Sequence, residues 1–184
     1  EQWDLEREAY YLIVGRLIPD NNADLIVDGF VASKSKRKLV VVGDVPYKDD
    51  YADRIKATQD ERLVFTGYVK DQEALAELYH NAYGYFHGHE YGGTNPTMIK
   101  AMAYGSAILA LDTVFNREML QNGEFGKFFK KDIGSVTSLI DLMDAKMEEM
   151  AKMKKASVYG VSAKYSWPHI VEQYQQVFKG LLKP

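Results

Sequence analysis

Tyr83–Tyr104 reads YGYFHGHEYGGTNPTMIKAMAY, and its reading decides the fold. Tyr83–Phe86 is an apolar run of strand length. His87–Asn95 is a polar, glycine-bearing turn, and Pro96–Tyr104 has helical periodicity. Pro96 suits the first helical position, Thr94 or Asn95 can serve as N-cap, and Gly105 is placed to close the helix. A strand that turns sharply into a capped helix is half of a β-α-β unit. The same grammar recurs on both sides. Ala9–Val14, Leu39–Val42, Leu63–Phe65 and Ala107–Leu111 are short apolar runs, apolar on both faces as buried parallel strands are. Helical segments are predicted near Ala23–Ser33, Asp50–Ala57, Asp71–Asn81 and Asn116–Gln121. A long helix is predicted over Ser135–Lys155, with Leu139, Met143, Met147, Met150 and Met153 on one side as core. A last helix over Trp167–Leu182 carries Ile170, Val171, Tyr174, Val177, Phe178 and Leu181 as one apolar stripe. Alternating strands and helices imply right-handed crossovers and an α/β fold, a doubly wound, Rossmann-like parallel sheet in a single domain, 1–184.

The composition narrows the function. The 184 residues are 46% hydrophobic and 27% charged, with no cysteine and a net charge of −3. One domain of this size buries roughly 70% of its unfolded surface without staples. The missing cysteines exclude thiol redox chemistry, cysteine-ligated zinc and a disulfide scaffold. Mild acidity argues against a nucleic-acid partner, which calls for a strongly basic face. No run approaches the ~20 apolar residues that cross a bilayer, and no leader pattern opens the chain. The chain starts at Glu1 without a methionine, as a piece of a longer protein would; a soluble, cytoplasmic domain is expected.

In a doubly wound sheet, ligands bind beyond the carboxyl ends of the strands. Gly15-Arg16, Gly43-Asp44, Gly67-Tyr68, His87–Asn95 and Asp112–Asn116 fall there, although strand-to-helix turns favour such residues in any case. Gly92 and Gly93 let the backbone approach a ligand, and the positive end of the following helix favours an anion, phosphate above all. Arg16, directly after the first strand, could fork onto a diphosphate. His87 and His89 form an H-x-H pair with Glu90 beside it, but neighbouring residues of an extended chain point apart, so a metal site is disfavoured. Asp49-Asp50 reads as a helix start, and no Asp-x-Asp occurs. The Walker loop and the dinucleotide glycine fingerprint are both missing. The basic runs Ser33–Lys38 and Gly126–Asp132 read as solvated loops, with a membrane-surface patch as the alternative.

YYLIVGRLIPDNN, RLVFTGYVKDQEALAELYHNA, HGHEYGGTNPTMIKAMAYG, LDTVFNREMLQNGEFG and YSWPHIVEQYQQVF then occur in the order found in family 4 glycosyltransferases. The chain resembles that family's C-terminal, donor-binding half of the GT-B fold. The HGHE-GGTNP and LD-FNRE segments are similar to bacterial rhamnosyltransferases of surface polysaccharide synthesis, thought to use dTDP-rhamnose. The resemblance implies that Arg16 holds the donor diphosphate with Gly92, Gly93, Thr94 and Asn95. It puts Tyr68, on the Gly67–Val69 turn, and Lys100 by the nucleoside, and Glu90 and His89 near the transferred sugar. It implies a dTDP- or UDP-linked donor and no metal or other cofactor. A glycan or lipid-linked acceptor would bind an N-terminal domain that the last helix braces, at the inner face of the plasma membrane, so this half alone would transfer nothing. Two positions depart from the family pattern. Asn21 stands where most members have a lysine after the arginine. Gly92 and Lys100 stand where they have paired glutamates, the second of which binds the ribose. An ammonium only donates, so Lys100 cannot replace that acceptor, which favours a deoxyribose nucleotide or weak binding. The rival readings are a GT-B-like scaffold that has lost donor binding and an unrelated doubly wound domain.

Overall fold

In the computed structural model, which describes residues 3–181, the predicted alternation of strands and helices forms one parallel sheet. Its strands are β1 (Tyr10–Val14), β2 (Lys38–Val42), β3 (Leu63–Gly67), β4 (Gly84–His87), β5 (Ile108–Leu111) and β6 (Gly126–Phe129), in the order β3-β2-β1-β4-β5-β6. This is the doubly wound Rossmann arrangement. Alternate residues of each strand feed opposite layers of core. Tyr11, Ile13, Leu39, Val41, Phe86 and Leu109 pack under α1 (Ala23–Val31), α2 (Asp50–Lys56) and α6 (Ile133–Asp144). Tyr10, Leu12, Val40, Val42, Tyr85 and Ile108 pack under α3 (Gln72–Asn81), α4 (Pro96–Ala103) and α5 (Val114–Met119). The strands are apolar on both faces because both faces are covered.

Local chemistry sets the helix starts. Asp49 caps α2 by accepting from the Ala52 amide at 3.0 Å. Asn95 caps α4 through the Thr97 amide at 3.0 Å, and Gly105, at φ +77°, closes the turn behind that helix. Four expectations need correction. The segment after Gly126 is not all loop: its first residues are the edge strand β6, with Lys127 paired to Glu149 at 2.7 Å. The helix expected over Ser135–Lys155 is two, α6 and α7 (Met147–Lys164), because the chain leaves helical dihedrals at Lys146. There the Tyr83 hydroxyl donates to the Met143 carbonyl, and Asp144 receives the Tyr11 hydroxyl and Arg37. The break turns Met147 out to solvent, whereas Met143, Met150 and Met153 are core. The helix expected over Asn116–Gln121 begins earlier, at Val114, capped by Thr113. Within the basic run Ser33–Lys38, Ser33 and Ser35 are buried and Arg37 lies over the Tyr83 ring, so it is not simply a solvated loop.

The last helix, α8 (Trp167–Leu181), packs on α7 and has no buried residue. Trp167 is 81% exposed, and Val171, Tyr174, Val177, Phe178 and Leu181 are exposed with it. Residue 182, with which the predicted helix ended, lies outside the described residues. Among the described residues no helix is long and apolar enough to cross a membrane.

Candidate functional site

A cleft of about 490 Å³ opens at the carboxyl ends of β1 to β4, where the sheet order reverses between β1 and β4. One side is built by the turn after β1 (Gly15, Arg16, Asn21) and the end of β4 (His87, Gly88, His89); the other by Tyr68, Gln72 and Lys100 from β3, α3 and α4. The start of α4, at Asn95 and Thr97, closes the end.

Three asparagines bond the first side to itself. Asn21 donates through Nδ2 to the Arg16 carbonyl at 2.8 Å, and its Oδ1 lies 2.9 Å from His89 Nδ1. Asn22, buried and in the left-handed region, donates to the Gly88 carbonyl at 2.9 Å. Asn116, buried, donates to the carbonyls of His89 at 3.1 Å and Leu111 at 2.8 Å. The Glu90 amide adds a bond to the Asp20 carbonyl at 3.0 Å. Gly88 makes the approach feasible, since a Cβ there would stand 2.2 Å from the Asn21 carbonyl oxygen. Arg16 leaves this wall as an exposed cation with no acidic partner among the described residues.

His87 lies beneath His89, their ring centroids 6.0 Å apart, and is buried with Nε2 unpartnered. Burial, with the neighbouring His89 adding to it, pushes its imidazole down to about 3. His87 is therefore neutral at ordinary pH. Asp44, at the end of β2, is tied to the Val45 amide and Lys56, which hold its carboxyl below the usual carboxylate range.

The residues singled out from sequence divide in two. Arg16, Tyr68, His89, Asn95 and Lys100 come together around the cleft. Tyr68 is 74% exposed, and Lys100 Nζ reaches Gln72 Oε1 at 3.5 Å. Gly92, Gly93 and Thr94 form an exposed turn at the mouth, outside the lining. Glu90 also stands outside it. Lys131, at 2.5 Å, holds the Glu90 carboxyl below the usual carboxylate range, and Asn22 lies 3.4 Å from it. Asn22, Gln72 and Thr97 were not singled out. The one available signal for Asn22 was a second asparagine beside Asn21. Among the described residues no three or more histidine or acidic side chains converge as metal ligands would.

Comparison with known proteins agrees with this architecture. The sequence profile described as "Glycosyl transferases group 1" matches residues 1–161. No curated protein matches the chain. Among solved structures, Anabaena HepE in complex with UDP is 15% identical, with a TM-score of 0.80 over 95% of this chain and 49% of its own. Sucrose-phosphate synthase from Thermosynechococcus elongatus is 21% identical, with a TM-score of 0.81 over 98% of this chain and 47% of its own. The C-terminal domain of the group 1 family protein LpcC from Francisella tularensis is 18% identical, with a TM-score of 0.77 over 90% of this chain and 92% of that domain. The chain thus spans about half the length of the first two structures and nearly all of the third; at these identities the likeness is one of fold. The profile match over most of the chain carries the assignment: the protein belongs to the group 1 glycosyl transferases.

Proposed function

We propose that the cleft binds a nucleoside-diphosphate sugar and that the chain is the donor-binding half of a glycosyltransferase. The observation that carries this reading is Arg16, an unpaired cation in the crevice where a doubly wound sheet takes its ligands. With the diphosphate on Arg16 and the start of α4, negative charge developing on the leaving group meets a guanidinium and free helix-end amides. No metal is needed for that step. The nucleoside lies toward Tyr68 and Lys100, and the sugar toward β4. HepE is described in complex with UDP and with UDP-glucose, which supports a donor of that class.

The finer reading is a dTDP-linked donor, rhamnosyl transfer and polysaccharide synthesis on the cytoplasmic side of a membrane. Lys100 supports the deoxyribose base of that reading, since its ammonium stands on the nucleoside side and offers no acceptor to a ribose hydroxyl pair. Transfer itself requires an acceptor domain beyond this chain, docked on the exposed stripe of α8. Lys100 equally favours a second reading, a scaffold that has lost donor binding. Calorimetry with dTDP, UDP and GDP, free and sugar-linked, decides between them. A ligand at a hundred times its Kd stabilises the fold by about 2.7 kcal/mol, so thermal shifts report the same answer. Selective dTDP binding supports the dTDP-linked donor, tight selective UDP binding refutes the deoxyribose preference, and silence toward every nucleotide that Lys100→Glu relieves identifies the scaffold that has lost donor binding.

A further inference from the structure

Asn21 is placed between two groups of fixed chemistry. A backbone carbonyl only accepts, so the Asn21 atom 2.8 Å from the Arg16 oxygen is the amide nitrogen. Its oxygen therefore faces His89 Nδ1 at 2.9 Å, and an amide oxygen only accepts. His89 must then carry its proton on Nδ1. The backbone around it is held by other bonds, from Asn116 to the His89 carbonyl and from the Glu90 amide to Asp20. The tautomer is set by Asn21 alone.

Nε2 of a neutral, Nδ1-protonated imidazole is a bare acceptor. In His89 it has no protein partner among the described residues. It lies near Gly92, where an added Cβ would stand in ordinary contact with it at 3.7 Å, and at φ +101° that position is one side chains rarely adopt. A diphosphate offers only acceptors and cannot bond to it; a hydroxyl can. His89 stands two residues beyond the end of β4, and the sheet order puts β1, with Arg16 after it, between β4 and the Tyr68 side of the cleft.

We propose that Asn21 is a positioning residue that locks His89 in the Nδ1–H tautomer and so presents Nε2 to a hydroxyl of the donor sugar. The proposal rests on the donor-binding reading above. It makes Asn21 a sugar-recognition element rather than a lost phosphate contact.

Long-range proton–nitrogen spectra of the 15N-labelled chain at pH about 8, above the ordinary imidazole range, read the tautomer without any ligand. The His89 signals are assigned by their loss in His89→Gln. The expected result is protonated Nδ1 and bare Nε2, with that preference lost in Asn21→Leu. A proton on Nε2 in the native chain, or an unchanged pattern in Asn21→Leu, overturns the proposal. Calorimetry of UDP against UDP-glucose, and of dTDP against dTDP-rhamnose, reads the consequence. Asn21→Leu should weaken the sugar nucleotide roughly 5–10-fold, the worth of one hydrogen bond, and leave the free nucleotide within about 2-fold. His89→Gln, whose amide oxygen can replace Nε2, should retain more of the sugar increment than His89→Leu. Equal losses for nucleotide and sugar nucleotide overturn the sugar assignment and point to the ribose or to misfolding. A native chain silent toward both free nucleotides overturns the donor-binding reading itself, and this inference with it.

Discussion

The wall of the cleft made by the turn after β1 and the end of β4 is bonded to itself through Asn21, Asn22 and Asn116, whereas the wall made by Tyr68, Gln72 and Lys100 has one long contact at 3.5 Å. The first wall is held together before any ligand arrives, because the buried Asn22 and Asn116 side chains donate to backbone carbonyls across it and Asn21 ties Arg16 to His89. The second consists of long, solvated side chains that lose rotamer freedom only when something lies between them. A cleft built this way is fixed at its Arg16 and His89 end and adaptable at its Tyr68 and Lys100 end.

Substitutions on the two walls should therefore differ in kind. Gly88→Val forces a Cβ to within 2.2 Å of the Asn21 carbonyl, and urea unfolding should show a loss of about 3 kcal/mol. Asn116→Ala strips the His89 and Leu111 carbonyls of a shared donor and should cost about 2 kcal/mol in the same measurement. Tests of Arg16 address binding alone: Arg16→Ala should weaken a nucleoside diphosphate roughly 10–100-fold, with the melting temperature unchanged. His87 gives the fixed wall a pH signature. Its imidazole titrates near the ordinary 6.5 in the unfolded chain and near 3 in the fold, so the unfolded chain binds the proton first. Stability is then complete above the unfolded value and falls as pH drops from 6.5 toward 3, by about 2 kcal/mol at pH 5. His87→Phe should flatten that acid limb in pH-dependent unfolding. The smallest effect belongs to the open mouth. Gly93 has nothing near its absent Cβ, so Gly93→Ala should leave stability within about 0.5 kcal/mol.

The same contrast explains what could be read from the chain. β1, β2 and β4 were legible because they are buried on both faces and contain little but apolar residues, and α4 because Asn95, Pro96 and Gly105 mark its ends. β6 was not, because GKFF at a sheet edge keeps a charged lysine that pairs outside the strand. The break between α6 and α7 was hidden, since the methionine spacing continues across it and the bonds that impose it come from Tyr11, Arg37 and Tyr83 far along the chain. At the site, the positions adjoining strand ends were visible as glycine and polar clusters. The asparagine bonds to Gly88 and His89 were not, since they join residues 27 to 68 apart whose meeting depends on strand order. The ion pair of Glu90 with Lys131, 41 residues further along the chain, was equally invisible in sequence.

Mapping the backbone amide shifts of the chain during titration with dTDP or UDP tests the central claim most directly. The account predicts changes concentrated at residues 15–21, 68–72 and 87–100, with the 15–21 and 87–90 amides shifting without loss of rigidity and the 68–72 and 100 side chains becoming ordered. Saturable changes centred elsewhere, on α8 for example, with those amides unmoved, would contradict it.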